Sequence, residues 1–517
     1  MIQTISLRLK PEQAKDKDAQ IRAAAGILNC DRNAITGIRI LRRSLDARGK
    51  SPAVVLQAEV FCGQPVPGLF EPVVFKPVTG GRTAIIVGSG PAGLFAALEL
   101  IRHNIRPIVL ERGKDVTARR FDLKTINRNS VCHPDSNYCF GEGGAGTYSD
   151  GKLYTRATKR GNVREILALL VQHGAAPDIL MDAHPHIGSN RLPKIIAAVR
   201  ETILSCGGDI HFNARVSGLI LAGDRVMGVT TAFREFLSPA VILATGHSAR
   251  DIYYLLDDLG IRLEAKPFAM GVRVEHPQAV INAIQYGRHA GSPHLPAASY
   301  ALSGQFGGAG VYSFCMCPGG MLVPAATAPG ELVLNGMSNS ARNLANANAG
   351  MVVTVDETLW QHHLNRHHFA GLAFQQELEQ KAFAAGGKTL AAPAQRLTDF
   401  LTDRISPSLP ATSYIPGAVS YPVKEILGPF ITRALKLGFA AFGKKMTGYI
   451  TREALVLAVE SRTSSPVRIP RDPGTRMHPD IDGLFPAGEG AGFSGGIVSS
   501  ALDGQITARA AAARFGR

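Results

Sequence analysis

The stretch from Thr83 to Gly113 constrains the fold of this chain more than any other. An apolar run at 84–87 is typical of a buried parallel strand. Three glycines follow it with the spacing G-x-G-x-x-G, and apolar residues then recur at helical spacing over 94–101. A second apolar strand is predicted at 107–110. The segment therefore predicts a strand, a tight turn, a helix and another strand, which is the opening unit of a doubly wound α/β sheet.

This glycine turn has the chemistry of a dinucleotide site. Its first glycine allows the tight turn, the second lets backbone approach a pyrophosphate, and the third lets the helix pack close to the strand. Glu111 lies 18 residues past Gly93, where a carboxylate can bind ribose hydroxyls. A glycine turn without a ligand is the alternative. The predicted contacts in this segment are Gly88, Ser89, Gly90, Pro91, Ala92, Gly93, Glu111 and Arg112.

Length and composition predict a cytoplasmic protein without a membrane span. The 517 residues and 55.0 kDa suggest two to four structural units. The first ten residues alternate apolar and polar side chains and lack the apolar region of a signal peptide. No apolar run approaches the ~18 residues that a membrane helix needs. Seven cysteines in so long a chain do not indicate a disulfide framework.

The formal charge of +15 indicates either an anionic ligand or a nucleic-acid partner. A basic surface without a specific partner is the third interpretation. Residues 102–128 carry eight Lys/Arg against three Asp/Glu, directly after the nucleotide turn. This placement favours a cofactor that carries phosphate over a long polyanion, and it leaves RNA binding open.

Residues 1–80 are predicted to form a small N-terminal domain and a linker. Residues 5–10 alternate as a half-buried strand does, and Pro11 opens a helix that extends to about Leu28. Two further strands, at 35–41 and 54–60, complete a β-α-β-β unit with the helix on one face of the sheet. The hairpin between them is basic, with Arg39, Arg42, Arg43, Arg48 and Lys50. Prolines 65–77 predict an extended linker.

Residues 81–265 are predicted to form the first part of a nucleotide-binding domain. After Glu111 comes a basic helical segment, and then a loop in which Gly141, Gly143 and Gly146 repeat the spacing G-x-G-x-x-G. No suitable strand precedes this loop, so it does not indicate a second dinucleotide site. Its glycines, next to a Ser-Asp pair, still suggest backbone lying close to a ligand. The predicted contacts here are Gly144, Ser149 and Asp150.

The rest of that segment continues the α/β pattern. Helices are predicted at 163–171 and 192–204, a strand at 209–212 and a hairpin over 216–231. A buried strand at 240–243 ends in A-T-G, which places Thr245 and Gly246 where a nucleotide crosses the edge of the sheet. The predicted contacts in this part are Val216, Thr245 and Gly246.

Residues 266–459 change in pattern and are predicted to be an inserted substrate domain of mixed α+β type. Alternating strands are predicted at 270–275, 311–314 and 331–334. Helical stretches are predicted near 357–403 and 423–459. An insertion between two nucleotide-binding segments is a natural place for substrate specificity.

Residues 460–517 return to the nucleotide-binding domain. A short strand at 484–485 leads to Gly488 and Glu489, and a helix begins after Gly495 and Gly496. Enzymes that bind FAD with a single Rossmann domain use such a late strand, with its acid on the ribitol and the following helix N-terminus at the flavin pyrimidine. The predicted contacts here are Gly488, Glu489, Gly495, Gly496 and Ile497. FAD is therefore the predicted cofactor.

Several longer motifs resemble those of a bacterial family of uncharacterised FAD-dependent oxidoreductases (dehydrogenases), distantly similar to the glutathione-reductase-type superfamily. They include F-G-E-G-G-A-G-T-Y-S-D-G-K-L, K-P-F-A-M-G-V-R-V-E-H-P, Y-S-F-C-M-C-P-G-G and E-S-R-T-S-S-P-V-R-I. The resemblance implies FAD and an α/β fold with an inserted domain, and it gives no substrate. The second Rossmann fingerprint and the C-x-x-C-type pair of disulfide reductases have no counterpart in the sequence.

Three residues are candidates for the chemistry. His276 is an acid/base candidate, with a strand-end histidine bonded to backbone as the alternative. Cys317, in C-M-C, is a redox candidate, with a buried small residue as the alternative. Arg462 is a candidate anchor for an anionic substrate or the flavin, with a structural salt bridge as the alternative. The cysteine spacing fits no usual zinc or iron–sulfur site, so no metal is predicted.

The sequence thus predicts an FAD-dependent oxidoreductase that moves a hydride between bound FAD and a small substrate, one that is expected to be anionic. NAD(P)H is a possible transient reductant. An FAD-carrying protein that binds or modifies RNA is the alternative, because of the net charge and the basic hairpin. The sequence does not indicate an oligomeric state.

Overall fold

The computed structural model describes residues 2–155 and 159–516. Its strands are β1 (Ile2–Leu9), β2 (Ile35–Asp46), β3 (Ala53–Cys62), β4 (Thr83–Val87), β5 (Arg106–Leu110), β6 (Asp209–His211), β7 (Val216–Ala222), β8 (Arg225–Thr231), β9 (Glu235–Leu237), β10 (Val241–Leu243), β11 (Glu264–Ala265), β12 (Phe268–Pro277), β13 (Ser303–Phe306), β14 (Ala309–Pro324), β15 (Leu334–Ser338), β16 (Asn346–Val355), β17 (Ala392–Arg396), β18 (Ala418–Ser420), β19 (Leu455–Glu460), β20 (Val467–Arg468) and β21 (Leu484–Pro486). Its α-helices are α1 (Lys17–Leu28), α2 (Pro91–Arg102), α3 (Val116–Asn129), α4 (Val163–Gln172), α5 (Leu192–Ser205), α6 (Arg250–Asp258), α7 (Gln278–Tyr286), α8 (Ala370–Ala385), α9 (Leu397–Leu401), α10 (Lys424–Lys445) and α11 (Ile497–Arg514).

The N-terminal residues form the predicted order of strand, helix, strand and strand. Their antiparallel sheet has the order β1-β3-β2. Helix α1 begins at Lys17, after a short 3₁₀ turn at Pro11–Gln13, because the Asp16 side chain caps it by accepting a hydrogen bond from Asp18 N at 2.9 Å. Strand β2 also bonds the main body of the chain, since Arg43 N donates to the Met181 carbonyl at 2.7 Å.

The proline-rich stretch after β3 is extended but packed. It contains no helix or strand, as predicted. Val73 bonds the Gln172 side chain through both its N–H and its carbonyl, at 2.9 and 2.8 Å. Leu69, Phe70 and Phe75 pack against the apolar cluster around α4 and α5. This segment is thus held against the body and does not act as a free spacer.

A five-stranded parallel sheet organises the part of the chain that is predicted to bind a nucleotide. Its order is β21-β10-β4-β5-β6, so the A-T-G strand lies between the first glycine strand and the last. Buried apolar residues of β4, β10 and α2 fill its core, which explains the apolar runs that predicted them. Because all five strands are parallel, their carboxyl ends meet at one edge. Three segments that are far apart in the sequence therefore converge.

A second, larger sheet occupies most of residues 266–459. Its strands run in the order β13-β14-β16-β12-β19-β17-β18, with β15 paired to β14. The central strand β12 is buried on both faces, although its sequence alternates apolar and charged residues. Its charged side chains have partners: Arg273 donates to Glu460, and Glu275 accepts from Thr412 Oγ1 at 2.7 Å. The strand was predicted correctly because its residues alternate between apolar and charged types, and buried partners allow the charged ones to remain in the core.

The two helical predictions in this segment are confirmed only in part. The stretch 357–403 contains α8 and α9, and the stretch 423–459 contains α10. They are wrong where residues 392–396 form β17 and residues 455–460 form β19. Strand β19 lies completely buried between β12 and β17. The periodicity of a short apolar run of this kind does not distinguish a buried strand from a buried helix. The strand predicted at 331–334 begins only at Leu334, while the one at 311–314 is part of the longer β14.

Helix α10 is the one helix among the described residues that is long and apolar enough to cross a membrane by length and composition. Half of the most apolar 18-residue stretch of this helix is buried in the protein. It is kinked at Gly428, which precedes Pro429. Its Phe439 and Phe442 lie in the core beneath the larger sheet, so this helix packs as a core element does.

Candidate functional site

A cavity of about 390 Å³ opens at the carboxyl edge of the five-stranded sheet, facing β14 and β15 of the larger sheet. Most of the sequence-predicted residues line it. They are Gly88, Gly90, Pro91, Ala92, Glu111, Arg112, Gly144, Ser149, Asp150, Val216, Thr245, Gly246, Arg462, Glu489, Gly495, Gly496 and Ile497. The predicted residues outside the lining are Ser89, Gly93, Gly488, His276 and Cys317.

The first glycine turn presents backbone to this cavity. Gly88 has φ +102°, and a side chain there would press on the Ala244 carbonyl at 2.5 Å. Helix α2 begins at Pro91, and its N-terminus has no side-chain cap. Uncapped N–H groups and the helix dipole favour an anion at this position. Gly93 lies behind the turn and lets α2 pack on it, which is the packing role predicted for the third glycine.

Glu111 joins three loops at the edge of the sheet. Its Oε2 accepts hydrogen bonds from Ser89 N at 2.9 Å and Ser89 Oγ at 2.7 Å. Its Oε1 accepts from Gly113 N at 2.8 Å and Gly141 N at 3.0 Å. A carboxylate has about four acceptor sites. A ribose hydroxyl would therefore compete with the Ser89 hydroxyl, the one donor of the four that can rotate away.

Arg112 is held rigidly beside the cavity. It donates to Asp135 at 2.8 Å and to Asp251 at 2.8 Å, and its guanidinium lies 4.2 Å from the centre of the Phe140 ring. Arg215, another cation of the lining, also contacts Asp251 at 3.1 Å. These cations are already balanced by carboxylates, so they do not by themselves favour an anionic substrate.

The second glycine loop is held from beneath by a buried arginine that sequence reasoning missed. Arg119 donates to the carbonyls of Asn137 at 2.8 Å, Glu142 at 2.9 Å and Gly144 at 2.9 Å. Gly144, with φ +60°, lies against the first turn, since a side chain there would meet Gly90 Cα at 3.1 Å. The sequence signal was weak, because Arg119 is one of many cations in a basic helix.

Asp150, in the same loop, is buried and paired with two cations. It accepts from Arg342 Nη2 at 2.5 Å and lies 3.3 Å from Lys152 Nζ. Burial raises the pKa of Asp150, but Lys152 and Arg342 outweigh this and hold it below its ordinary value. Its neighbour Ser149 donates to the Gly146 carbonyl at 2.7 Å. Asp150 is therefore a charged anchor for Lys152.

The A-T-G turn brings Thr245 and Gly246 to the cavity, next to Val216 of the hairpin. Gly246 has φ +71°, and a side chain added there would meet no atom within 4 Å. His247 follows in the lining, and burial lowers its pKa to about 4, so it is a neutral imidazole at pH 7. The backbone here is open toward the cavity.

The last strand positions an acid and a second helix N-terminus. Gly488 N donates to Asp503 of α11 at 2.7 Å, which fixes the turn after β21. Glu489 faces the cavity, and burial raises its pKa to about 7, although nearby Lys266 acts in the opposite direction. Helix α11 begins at Ile497 with no side-chain cap at its N-terminus, as α2 does. Two uncapped helix ends thus border one cavity.

Arg462 has a structural role and also lines the cavity. It donates to Glu379 Oε2 at 3.0 Å and Glu331 Oε2 at 3.2 Å, and to Thr327 Oγ1 at 2.7 Å. Arg250 contacts the same two carboxylates. Burial lowers the pKa of Arg462, but Glu379 more than reverses this, so the guanidinium stays charged. The contacts of Arg462 with Glu331 and Glu379 are those of a structural salt bridge, which was the alternative to an anion-binding role.

His276 lies away from the cavity, and its assignment as an acid/base residue is not retained. It is buried in the larger sheet, and its Nε2 bonds the Tyr449 carbonyl at 2.8 Å. Its ring packs 4.5 Å from the Tyr449 ring. Burial lowers the pKa of His276 to about 4. It is a strand-end histidine bonded to backbone, which was the alternative.

The predicted cysteine of the C-M-C pair does not reach the cavity. Cys317 is fully buried, whereas Cys315 lines the cavity. Both sulfurs lie 3.6 Å from Lys152 Nζ. A β-bulge between Phe314 and Cys317 changes which residues of β14 face the cavity, so counting along the strand could not identify the exposed one.

Sequence reasoning also missed Lys152 and Asn335. Lys152 follows the second glycine loop, and Asn335 stands at the start of β15, where its Oδ1 accepts from Arg273 Nη2 at 2.9 Å. Lys152 stands within a predicted ligand loop, so its proximity to the ligand could have been inferred. Asn335 had no comparable signal, because only the pairing of β14 with β15 brings it to the cavity.

Among the residues that the structure describes, one group of side chains has donor atoms close enough to hold a metal ion. His362, His363 and Glu377 lie with these atoms within 4.8 Å of one another. Both histidines contact Glu377 Oε2 at 2.9 Å, and Lys381 contacts its other oxygen at 2.6 Å. These contacts account for the arrangement without a metal, and none of the four residues lines the cavity.

Comparison with known families identifies the type of domain. Residues 267–463 match the family model described as "FAD-dependent protein, C-terminal domain-like". Residues 1–61 match a domain of unknown function. The first match supports FAD as the cofactor. The N-terminal match assigns no role to the small sheet.

A relative of similar length matches almost the whole chain and shows its family. An uncharacterized protein of Clostridium beijerinckii is 39% identical over 497 residues, which cover 92% of each chain. The chain belongs to the same family as this protein. The more distant similarity to the glutathione-reductase-type superfamily stays a prediction.

Several solved structures are similar at low identity. A triple mutant of the flavin-dependent brominase Bmp2 covers 84% of this chain and 80% of its own, with 14% identity and a TM-score of 0.36. A geranylgeranyl bacteriochlorophyll reductase-like protein of Thermoplasma acidophilum covers 84% and 79%, with 11% identity and a TM-score of 0.35. CtdE in complex with FAD and a substrate covers 82% and 78%, with 11% identity and a TM-score of 0.30. These TM-scores do not establish a common fold.

Proposed function

We propose that this chain is an FAD-dependent oxidoreductase that moves a hydride between bound FAD and a small substrate. The observation that carries the proposal is the convergence of three distant segments on one cavity: the turn after β4, the A-T-G turn after β10 and the G-E-G turn after β21. A site for NAD alone requires only the first of them. The family match over 267–463 supports FAD independently of this geometry.

The residues present fit FAD. The uncapped N-termini of α2 and α11 suit the pyrophosphate and the pyrimidine edge of the flavin, both of which carry or develop negative charge. Gly246 and Gly495 leave open space where a side chain would stand. No hydrogen bond to another described residue occupies the Glu489 carboxylate, so it is available to ribitol hydroxyls. The cavity volume also lies within the range of cofactor sites.

We propose which parts of the chain would hold each part of the cofactor. The turn at 88–92 and Glu111 would hold the adenosine diphosphate half. Glu489 would hold the ribitol, and 495–497 would border the flavin ring. When bound, FAD supplies a two-electron acceptor for hydride. The chain's own residues orient the cofactor, exclude water from it and set the charge around it.

The larger sheet supplies the opposite side of the cavity. Phe314, Cys315 and Asn335 line it from β14 and β15, and Lys152 lines it from the glycine loop. A substrate would therefore lie between these side chains and the flavin. An anionic substrate and transient reduction by NADH or NADPH, in the cytoplasm, complete the proposal.

An RNA-binding role has less support than the oxidoreductase. The basic hairpin that motivated it contains Arg39, Arg43 and Arg48, and each of these contacts a carboxylate. Arg42 and Lys50 are exposed. Much of the positive charge of the hairpin is thus neutralised within the protein.

The proposal is tested by the absorption spectrum of the purified full-length protein and by its anaerobic reduction. We expect the band of oxidised flavin near ~450 nm, released as FAD on denaturation, and bleaching of this band by NADH, NADPH or a substrate. A colourless protein that takes up no added FAD would refute the cofactor. Bound FAD that no reductant or substrate bleaches would refute the oxidoreductase and leave the cofactor in place.

A further inference from the structure

Two thiols and a lysine meet at the wall of the cavity. Lys152 Nζ lies 3.6 Å from the sulfurs of both Cys315 and Cys317. Cys315 reaches the cavity because it stands in the bulge of β14, with a positive φ of +44° that residues other than glycine rarely adopt. Cys317, two residues later, is fully buried, and its sulfur lies 3.3 Å from the Cys315 carbonyl. One thiol thus lines the cavity, the second contacts its backbone, and one cation contacts both sulfurs.

The charges around this pair favour a thiolate on Cys315. Lys152 and Arg273 are its cations, and Arg273 donates to the Cys315 carbonyl at 3.1 Å. The nearby anions are paired, Asp150 with both Lys152 and Arg342 and Glu460 with Arg273, so three cations stand against two anions.

The two thiols are shifted in opposite directions. The Cys317 thiol, and after it Lys152 and Arg273, lower the pKa of Cys315 well below its ordinary value against the effect of burial. The pKa of Cys317 rises, because Cys315 and burial both favour its protonated form. The opposite shifts favour a thiolate on Cys315 next to a thiol on Cys317.

A second pair of cysteines near the cavity lacks this arrangement. Cys139 also lines the cavity, but its sulfur lies 3.7 Å from the Ala325 carbonyl. Cys132 lies 3.2 Å from the Ala326 carbonyl, and burial raises its pKa to about 12. No lysine contact of the kind that Lys152 makes is found for either sulfur among the described residues. Cys139 therefore serves as an internal reference for Cys315.

We propose that Cys315 and Cys317 form a peroxide-reactive pair, in which Cys315 is the attacking thiolate and Cys317 the resolving thiol. Redox-sensitive cysteines are accessible thiolates next to a second cysteine, and this geometry supplies both features. The site belongs to the chain itself and requires no bound cofactor. Its failure or success is therefore independent of the proposed oxidoreductase activity.

The chemistry has two steps. The Cys315 thiolate attacks one oxygen of hydrogen peroxide, an S–O bond forms, the O–O bond breaks, and the departing hydroxide takes a proton from the Lys152 ammonium and leaves as water. The sulfur is oxidised by two electrons and the peroxide is reduced, while solvent reprotonates Lys152. The Cys317 thiol then attacks this sulfenic acid, the S–S bond forms, and the S–O bond breaks. Water leaves with the proton of Cys317.

Mass spectrometry of the full-length protein tests the proposal. The reduced protein is treated with hydrogen peroxide in the presence of dimedone, and its peptides are then mapped. We expect the wild type to form a Cys315–Cys317 disulfide, Cys317→Ser to accumulate a dimedone adduct on Cys315, and Cys315→Ser to give neither product. Cys139→Ser, a second cavity thiol, is expected to behave as the wild type does. Oxidation of Cys139 to the same extent as Cys315, or the absence of the disulfide, would overturn the proposal.

The role of Lys152 is tested by alkylation rates. At about pH 6.5 iodoacetamide is expected to modify Cys315 at least about tenfold faster than Cys139. Lys152→Met should slow the modification of Cys315 by about tenfold, the effect of a pKa shift of about one unit. Lys152→Arg, which retains the cation, should restore most of the rate and shows whether the methionine variant fails only by misfolding. Equal rates in wild type and both variants would exclude a lysine-stabilised thiolate.

Discussion

The two sides of the cavity are built from different parts of the polypeptide. One side, the backbone wall (residues 88–92, 244–246 and 495–497), consists of glycine turns and helix N-termini at the edge of the five-stranded sheet. The other, the side-chain wall (Lys152, Cys315, Asn335 and Arg462), consists of polar side chains directed at the cavity. The backbone wall offers helix N-termini and open space, whereas the charged side chains of the side-chain wall are held by ion pairs with other residues. A site of this kind can keep its cofactor while its chemistry varies.

The difference also separates two kinds of sensitivity. In the first glycine turn of the backbone wall an added methyl group would meet main-chain atoms, as one at Gly88 would meet the Ala244 carbonyl. On the side-chain wall each group depends on a partner, as Arg462 depends on Glu331 and Glu379. The first wall should fail by steric conflict and the second by unpaired charge, and the following variants separate these failures.

The largest effect is expected from Arg462→Met on the side-chain wall. The change leaves two buried carboxylates with Arg250 as their remaining arginine, and breaking a buried charge network by removing one partner costs about 3–5 kcal/mol. Urea unfolding should show a loss of this size in the free energy of unfolding. Arg42→Met, at an exposed arginine, is the control and should change it by no more than about 0.5 kcal/mol. A small loss in the Arg462 variant would mean that the cluster is not held by its charges.

The packing directly behind the backbone wall is tested by Gly93→Ala. A methyl group at this position would press into the Gly88 carbonyl oxygen and come within 3.2 Å of the Ile86 side chain. Neither the turn nor the helix can give way, so we expect a loss of about 1–3 kcal/mol in the free energy of unfolding, together with loss of FAD retention. Gly26→Ala is the matched control, since it lies inside α1 with no atom within 4 Å of an added methyl group. That variant should stabilise the protein by about 0.4–1 kcal/mol.

The contrast between the walls explains how far the sequence could predict the site. The backbone wall is encoded locally, because the glycines, the flanking strands and the helix starts are adjacent in the sequence. Strands β4, β5, β10 and β21 and helices α2 and α11 were predicted close to their observed bounds for this reason. The side-chain wall depends on pairings between distant residues, such as Lys152 with Cys315, 163 positions apart.

The two catalytic candidates that lie outside the cavity, His276 and Cys317, follow from the same cause. His276 resembled a residue at the end of a half-exposed strand, but β12 is covered on both faces and the histidine is buried with it. Cys317 was chosen over Cys315 because the residue pattern does not predict the β-bulge that turns Cys315 toward the cavity. The buried supports Arg119 and Asp503 have ordinary neighbours in the sequence, and only the folded chain shows what they hold.

A smaller effect, dependent on pH, is expected at Glu489. Its pKa is raised to about 7 in the folded chain, above the ordinary value of 4.5, so the folded state binds this proton more tightly than the unfolded state. The stability that the proton provides is therefore complete below about pH 4.5 and is lost as the pH rises to about 7. Glu489→Gln should remove this slope and stabilise the protein above pH 7, measured by unfolding at several pH values.

The same residue should couple FAD binding to pH. Ribitol hydroxyls bond the carboxylate better than the acid, so the dissociation constant of FAD should fall as the pH rises from about 6 to 8, by no more than about tenfold per unit. Glu489→Gln should flatten this dependence, while Glu453→Gln, at an exposed position, should leave it unchanged. Glu460 also titrates near 7, next to Arg273, so any slope that remains in Glu489→Gln is assigned to it. An unaltered slope in Glu489→Gln would remove Glu489 from the FAD site.

The smallest effect on stability, and the sharpest test of the backbone wall, is expected from Gly495→Ala. A methyl group added at Gly495 meets no protein atom within 4 Å, and the residue does not require a positive φ. The free energy of unfolding of the apoprotein should therefore change by less than about 0.5 kcal/mol. The same methyl group would stand in the space proposed for the flavin at the N-terminus of α11, so FAD retention should fall. Gly93→Ala should lose both stability and FAD, whereas Gly495→Ala should lose FAD alone. If Gly495→Ala retains FAD as the wild type does, the flavin does not border this helix end, and the backbone wall holds only the nucleotide half of the cofactor.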